Sequence, residues 1–350
     1  MFKYSSSLYL QRYISPVISQ TLASQNRYSS SETMVSKTQP KVVPVVDLSD
    51  ENLKPGTDAW LLACKQVQHA LEEYSCFEAV YNKATLEIHN SIFSAIKELC
   101  DLPLETKMQK ASDRPFHHYF GQLPLNPRYE TLGIQDPASL EGAQRFTSIM
   151  WPAGNDRFCE SVHSFSKVVV ELDQMVKRMV FDAYGVGRLY DSYKASTTYQ
   201  LRCINYKSQL TNETTDVGLI PHTDKNFTSI LHQNDVGGLQ IKTKDGEWIE
   251  AAPSSPSSFL VLASDLFMAW SNDRISACEH QVVLKEKKAR YSLALFSYIG
   301  DGVVQVPEEF VDDKHPLKYK PFGHFDYLRF YETDEEARKS KNPIKAYCGV

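Results

Sequence analysis

A chain of 350 residues has room for one large domain or two medium ones, and its 42% hydrophobic and 11% aromatic content is that of an ordinary globular protein. The net charge of −5 is spread without a basic stripe, so no nucleic-acid partner is expected. No apolar run reaches the roughly 18 residues of a membrane-spanning helix, and seven scattered Cys without a C-x-x-C pair indicate reduced thiols.

Residues 1–31 contain no Asp or Glu and carry Lys3, Arg12 and Arg27 among many Ser and Tyr. Such a stretch resembles a mitochondrial or plastid transit peptide, or is a disordered extension upstream of Met34. Residues 1–41 are therefore set apart and the fold is expected to begin near Val42. The expected compartment is the cytoplasm, or an organelle if the leader is a transit peptide.

In chain order, Val42–Leu48 reads as a short strand with Pro44 suited to an edge. Trp60–Tyr74 has a helical apolar period, Phe77–Tyr81 is a second strand, and Lys83–Cys100 a second helix closed by Pro103. Ser112–Pro152 is rich in Pro, Gly and aromatics, and is expected to be a long functional loop with short strands at best. Phe158–Tyr184 is the longest helix; Gly185 ends it, and its stripe from Phe165 to Ala183 should support a core.

After Thr197 the period changes from helical to two. Strands are expected at Tyr199–Tyr206, Leu239–Thr243, Trp248–Ala251, Ser258–Leu262, Gln281–Leu284 and Tyr291–Tyr298, with Asp245-Gly246 as a hairpin turn. Many short strands at regular spacing predict a double sheet. The C-terminal segment reads as helix from Phe325 to Arg338.

The chemistry centres on Leu219-Ile220-Pro221-His222-Thr223-Asp224-Lys225. On a strand, His222 and Asp224 would project to one side, giving two corners of a 2-His-1-carboxylate face, the ligand set of non-haem Fe(II). His280, 56 positions after Asp224 at the start of a later strand, can supply the third corner, because a jelly roll brings separate strands to one mouth. Arg290-Tyr291-Ser292 repeats the i, i+2 spacing. Arg290 offers a fork for a carboxylate and Ser292 a further donor, which points to 2-oxoglutarate as an anionic co-substrate. His232 reads as a core or surface histidine, the pair His117-His118 as loop surface, Gly237-Gly238 as a turn, and Asp265 and Asp273 as turn residues.

The order His222-x-Asp224, His280, Arg290-x-Ser292 resembles the plant 2-oxoglutarate- and Fe(II)-dependent dioxygenases. Phe77-Glu78-Ala79, His222-Thr223-Asp224-Lys225-Asn226, Asp245-Gly246-Glu247-Trp248, Ala269-Trp270-Ser271-Asn272 and Tyr347-Cys348-Gly349-Val350 look like the group named for alkenyl and hydroxyalkyl glucosinolate formation, from about Val42 to the end. The resemblance implies a mainly β fold with flanking helices around a double-stranded β-helix (jelly roll) core. Residues 42–152 would form an N-terminal helical and strand region, 153–196 bracing helices, 197–301 the jelly-roll core, and 302–350 a lid and tail.

It further implies Fe(II) on His222, Asp224 and His280, 2-oxoglutarate on Arg290 and Ser292, O2 as oxidant and ascorbate as reductant. The product side is succinate, CO2 and an oxidised, hydroxylated small plant metabolite or hormone. The substrate, small and largely apolar, would lie between Phe116–Leu132 and Phe322–Phe330, and the enzyme would be a monomer without membrane or nucleic-acid partners. The family's Asn-x-Tyr, whose Tyr touches the co-substrate, falls at Lys207, with Tyr206 beside it as the candidate here. The loop before His280 also departs, reading Asn272-Asp273-Arg274 and Ala277-Cys278-Glu279. The alternatives are a non-catalytic or weakly active binding protein of the same fold, and a cupin-like enzyme such as an isomerase, against which Arg290-x-Ser292 argues.

Overall fold

Two antiparallel-rich sheets face each other, and helices cover the outer side of the larger one. The computed structural model describes residues 41–109, 119–123, 126–208 and 217–350. The strands are β1 (Val45–Asp47), β2 (Cys76–Val80), β3 (Phe120–Leu123), β4 (Asn126–Gln135), β5 (Thr197–Tyr206), β6 (Val217–His222), β7 (Thr228–Gln233), β8 (Leu239–Lys242), β9 (Trp248–Glu250), β10 (Ser258–Ala263), β11 (His280–Val283), β12 (Arg290–Ile299), β13 (Val303–Val304) and β14 (Phe322–Gly323). The large sheet runs β1-β2-β10-β7-β12-β5-β4-β3 and the small one β6-β11-β8-β9, with β13-β14 a separate ribbon. Strands from the N-terminal region thus share one sheet with the C-terminal core.

Period two decides which residue goes where. On β5, odd residues such as Leu201 and Cys203 join the core under the helices, whereas Tyr206 and Ile204 join a second core between the sheets. Both faces of the central strands are covered, so β7 and β10 are buried along their whole lengths. The helices Asp58–Tyr74, Leu86–Cys100 and Asp156–Ala183 begin at Thr57, Thr85 and Asn155, whose side chains accept backbone N–H groups of the first turn. The last is the longest and turns Phe165, Val169, Leu172, Val176, Met179 and Val180 into the core. Gly246 adopts φ +89° in the β8–β9 hairpin, a conformation that the Asp-Gly dipeptide provides cheaply.

Three expectations are corrected. Residues 112–152 are not mainly loop: β4 pairs with β5 from Tyr129↔Tyr206 to Gln135↔Gln200, and Leu140–Met150 is a helix capped by Ser139. Pro127 lies near the strand start and Pro137 ahead of the helix, where neither interrupts a ladder, so local composition misled. The C-terminal helix is split into His324–Thr333 and Glu335–Lys339, because the Asp334 side chain accepts the Ala337 N–H and starts a new helix. Asp265 is no exposed turn residue; it opens the helix Asp265–Trp270, is buried, and pairs with Lys225 at 2.9 Å. All seven Cys are buried and free. The leader and His117-His118 lie outside the described residues.

Candidate metal and co-substrate centre

β6 and β11 are neighbours in the small sheet, and their register sets His280 directly opposite His222. The two imidazoles are 4.2 Å apart between ring centres. Pro221 is tolerated because β6 is an edge strand. Asp224 does not sit on β6, as i, i+2 strand geometry had implied; the strand ends at His222 and the chain turns. Tertiary contacts carry Asp224 back over the histidines: its carbonyl accepts the Asp265 N–H, and its carboxylate accepts the Ser229 hydroxyl from β7. Asp224 Oδ1 is 3.7 Å from His222 Nε2, and Oδ2 is 3.9 Å from His280 Nε2. One donor atom from each of the three residues fits within 4.8 Å.

The outer nitrogens are fixed. His222 Nδ1 donates to the Ile220 carbonyl at 2.8 Å and His280 Nδ1 to that of Cys278 at 3.1 Å, leaving both Nε2 lone pairs aimed inward. Burial, then the neighbouring His280 ring, push His222 down to about 4, with Asp224 only partly offsetting them. Burial would raise Asp224, but the two imidazoles and the Ser229 bond outweigh it and hold the carboxyl below its ordinary range. A neutral imidazole beside an ionised carboxylate is the state in which these groups ligate a metal. Two nitrogens and one carboxylate oxygen on one side suit Fe(II) with open positions.

Arg290 is 2% exposed on β12, opposite Tyr206 of β5. Its guanidinium lies 5.3 Å from the centre of the Tyr206 ring and donates to Gln233 Oε1 at 2.7 Å, while its Nε has no hydrogen-bond partner among the described residues. A buried guanidinium held by an amide and a ring, with a donor left over, has the chemistry to take an anion. Ser292 faces the same side and donates to the His232 carbonyl at 3.3 Å. Lys207, where the family's Tyr was sought, is instead half-exposed and 3.8 Å from Glu130. His232 is a core histidine, within 2.9 Å of His89 and stacked on Phe259. Sequence reasoning missed Ser229 and Gln233, which hold Asp224 and Arg290; both lie on one face of β7, four positions apart, a pattern visible only once β7 is known to flank β12.

Several known proteins resemble this chain. The profile of the 2OG-Fe(II) oxygenase superfamily matches residues 198–298, and that of the non-haem dioxygenase in morphine synthesis N-terminal region matches 43–129. A probable 2-oxoglutarate-dependent dioxygenase, AOP1.2 of Arabidopsis thaliana, is 42% identical over 87% of this chain and 95% of its own length. The chain belongs to the 2-oxoglutarate- and Fe(II)-dependent dioxygenases. Among solved structures, the Arabidopsis thaliana dioxygenase for auxin oxidation 1, in a binary complex with 2-oxoglutarate, superposes with TM-score 0.68 at 26% identity, covering 79% of this chain and all of that one. The rice dioxygenase for auxin oxidation gives 0.73 at 24%, covering 88% and 100%, which supports the jelly-roll fold. No helix among the described residues is long and apolar enough to cross a membrane.

Proposed function

We propose that this dioxygenase holds Fe(II) on His222, Asp224 and His280 and the distal carboxylate of 2-oxoglutarate on Arg290 and Ser292, and hydroxylates a small plant metabolite or hormone with a largely apolar body. The carrying observation is the buried Arg290, its Nε open, on the sheet that also anchors Asp224 through Ser229. Bound iron supplies the oxidising chemistry, coupling O2-dependent decarboxylation of 2-oxoglutarate to succinate and CO2 with oxygen insertion into a substrate C–H bond.

The chain's own residues position and shield. Arg290 and Ser292 bind the far carboxylate, and the Tyr206 ring packs along the co-substrate end. Ile220 and Cys278 carbonyls keep the histidines in one tautomer. Lys225, paired to Asp265 and bonded to the Thr223 carbonyl at 2.7 Å, fixes the turn carrying Asp224. Ascorbate serves as reductant, and the protein acts as a monomer in the cytoplasm or, with a functional leader, in an organelle. Residues 42–152 and 302–350 flank the 197–301 core as walls of the substrate compartment.

The test is succinate formation by purified protein with Fe(II), ascorbate and 2-oxoglutarate, alone and with a plant metabolite extract. Succinate that rises with one metabolite fraction, together with a product heavier by one oxygen, is expected. Protein that binds iron and 2-oxoglutarate yet forms no succinate under any fraction would instead be the non-catalytic member.

A further inference from the structure

The inner face of the large sheet carries a second buried guanidinium that the iron and co-substrate reading leaves unused. Arg202 is 7% exposed on β5, in register with Ala294 of β12 and Gly133 of β4. It shares the face of Tyr206 and, through the pairing Arg290↔Tyr206, of Arg290. Along β12 the inward residues run Arg290, Ser292, Ala294, Phe296, and Phe296 pairs with Ser229, which anchors Asp224. Arg202 therefore lies beyond Ser292, one rung short of the level at which Asp224 is tied down, and one strand further from β7. By strand geometry its Cα is about 14 Å from that of Arg290 and about 10 Å across the sheet from β7. That sets Arg202 on the same inner face as Arg290, further along it than Ser292 and one strand away.

Its surroundings position it. Nε donates to Thr131 Oγ1 at 3.2 Å and the guanidinium lies 5.3 Å from the Phe120 ring centre. A Cβ on Gly133 would meet the Gln200 side chain at 2.4 Å, so the glycine makes room for that amide beside Arg202. Gln200 Oε1 accepts the Tyr298 hydroxyl, and Tyr298 stacks on His324 and Phe325 of the C-terminal segment. Burial raises the phenols of Tyr129 and Tyr298, Arg202 lowers them and Asp224 raises them, so both charges reach the same aromatic wall. A small-molecule site of this kind takes an apolar body against aromatics and fixes it by one or two polar groups.

We propose that Arg202 is the specificity-determining cation of the substrate subsite, selecting small apolar molecules that carry a terminal oxyanion, a carboxylate or a sulfate ester. The anion pairs with the Arg202 fork, and the body extends across the compartment toward His222 and Asp224. The proposal rests on the iron and 2-oxoglutarate reading above.

The test uses the full chain loaded anaerobically with Mn(II) and 2-oxoglutarate, and a panel of arylacetic and alkanoic acids, sulfate esters of the matching alcohols, and neutral primary amides of the same skeletons. Binding is read by calorimetry and thermal shift. Parent protein is expected to bind acids or sulfates and to bind the matched amides about 30-fold more weakly or worse; which anion series binds identifies the source of the oxyanion. Arg202→Gln should erase that difference while leaving 2-oxoglutarate affinity in place, and Arg202→Lys should retain part of it. Should Arg202→Gln fail to fold, the lysine variant carries the comparison. Equal binding of acids and amides, no binding by any member, or undiminished anion binding by the variants overturns the proposal. So does a loss of 2-oxoglutarate affinity in Arg202→Gln as large as that in Arg290→Ala, which would make Arg202 part of the co-substrate site. The 2-oxoglutarate titration of parent protein tests the underlying reading separately: if it fails, that reading falls, whereas intact titration without anion selectivity removes only the role of Arg202.

Discussion

The two faces of the large sheet treat buried charge in opposite ways. On the helix side, Lys177 is 2.6 Å from Asp173, both almost fully buried, and Asp173 also accepts the hydroxyls of Tyr199 and Thr228. Lys107 and Glu130 are likewise buried and 2.8 Å apart, with Asn205 donating to the same carboxylate group. Each of those charges faces an opposite charge within the chain, which Arg290 lacks. On the inner face Arg290 meets an amide and a ring and keeps an open Nε, while Asp224 is faced by two imidazoles, of which burial holds His222 neutral. Closed pairs contribute to a unique packing; open ones are complete only with a ligand. Substitutions on the first face should therefore reduce stability, and on the second ligand binding.

The largest effect expected is all-or-none. His222→Ala should remove stoichiometric iron and all turnover, yet unfold at the parental denaturant midpoint when both are metal-free. Elemental analysis and urea titration measure the two; iron retained by the variant would remove His222 from the metal site.

Asp173→Ala makes the opposite cut. It strands Lys177 in an aromatic cage formed by Tyr193, Tyr199 and Phe227, and should destabilise the fold by about 3–5 kcal/mol. Urea unfolding at constant m-value is the measure, and a loss under about 1 kcal/mol would mean that water reaches the pair.

Arg290→Ala should weaken 2-oxoglutarate binding by about 2–5 kcal/mol, roughly 30- to 4,000-fold, with Arg290→Lys recovering part. Anaerobic titration of the iron form, followed through its metal-to-ligand absorption, reads this. Iron affinity without co-substrate should not change. If 2-oxoglutarate still binds as in the parent, another cation holds its carboxylate, and the contrast between the faces loses its main support.

The most gradual effect is in pH. Burial pushes His324 down to about 3, and burial with the adjacent His89 pushes His232 down to about 4. Both are neutral when folded and gain a proton on unfolding once the pH is below the unfolded value of about 6.5. Stability is thus full above about 6.5 and falls toward pH 4 by about 1.4 kcal/mol per pH unit for each histidine. His324 faces Lys225 through its backbone carbonyl and the rings of Tyr298 and Phe325. His324→Asn should flatten the slope of unfolding free energy against pH by about one proton. An unchanged slope would mean that His324 is already protonated or exposed.

Legibility in the sequence followed the range of the interactions. Period two and period 3.6 are local, so the strands from Tyr199 to Tyr298 and the long helix could be read directly, as could the Asp245-Gly246 hairpin. His222, Asp224, His280, Arg290 and Ser292 could also be picked out as candidates by type and order, because ligand chemistry restricts which side chains can serve. Alternation gives the face of a residue but not its neighbour, which depends on the register between strands far apart in sequence. Only the tertiary structure decided that His280 lies opposite His222, that Asp224 reaches the site from a turn tied to Ser229 and Asp265, and that residues 126–135 and 140–150 are strand and helix. It alone also put Arg202 and Arg290 on one wall, because that needs β12 paired with β5, strands whose register no local pattern specifies.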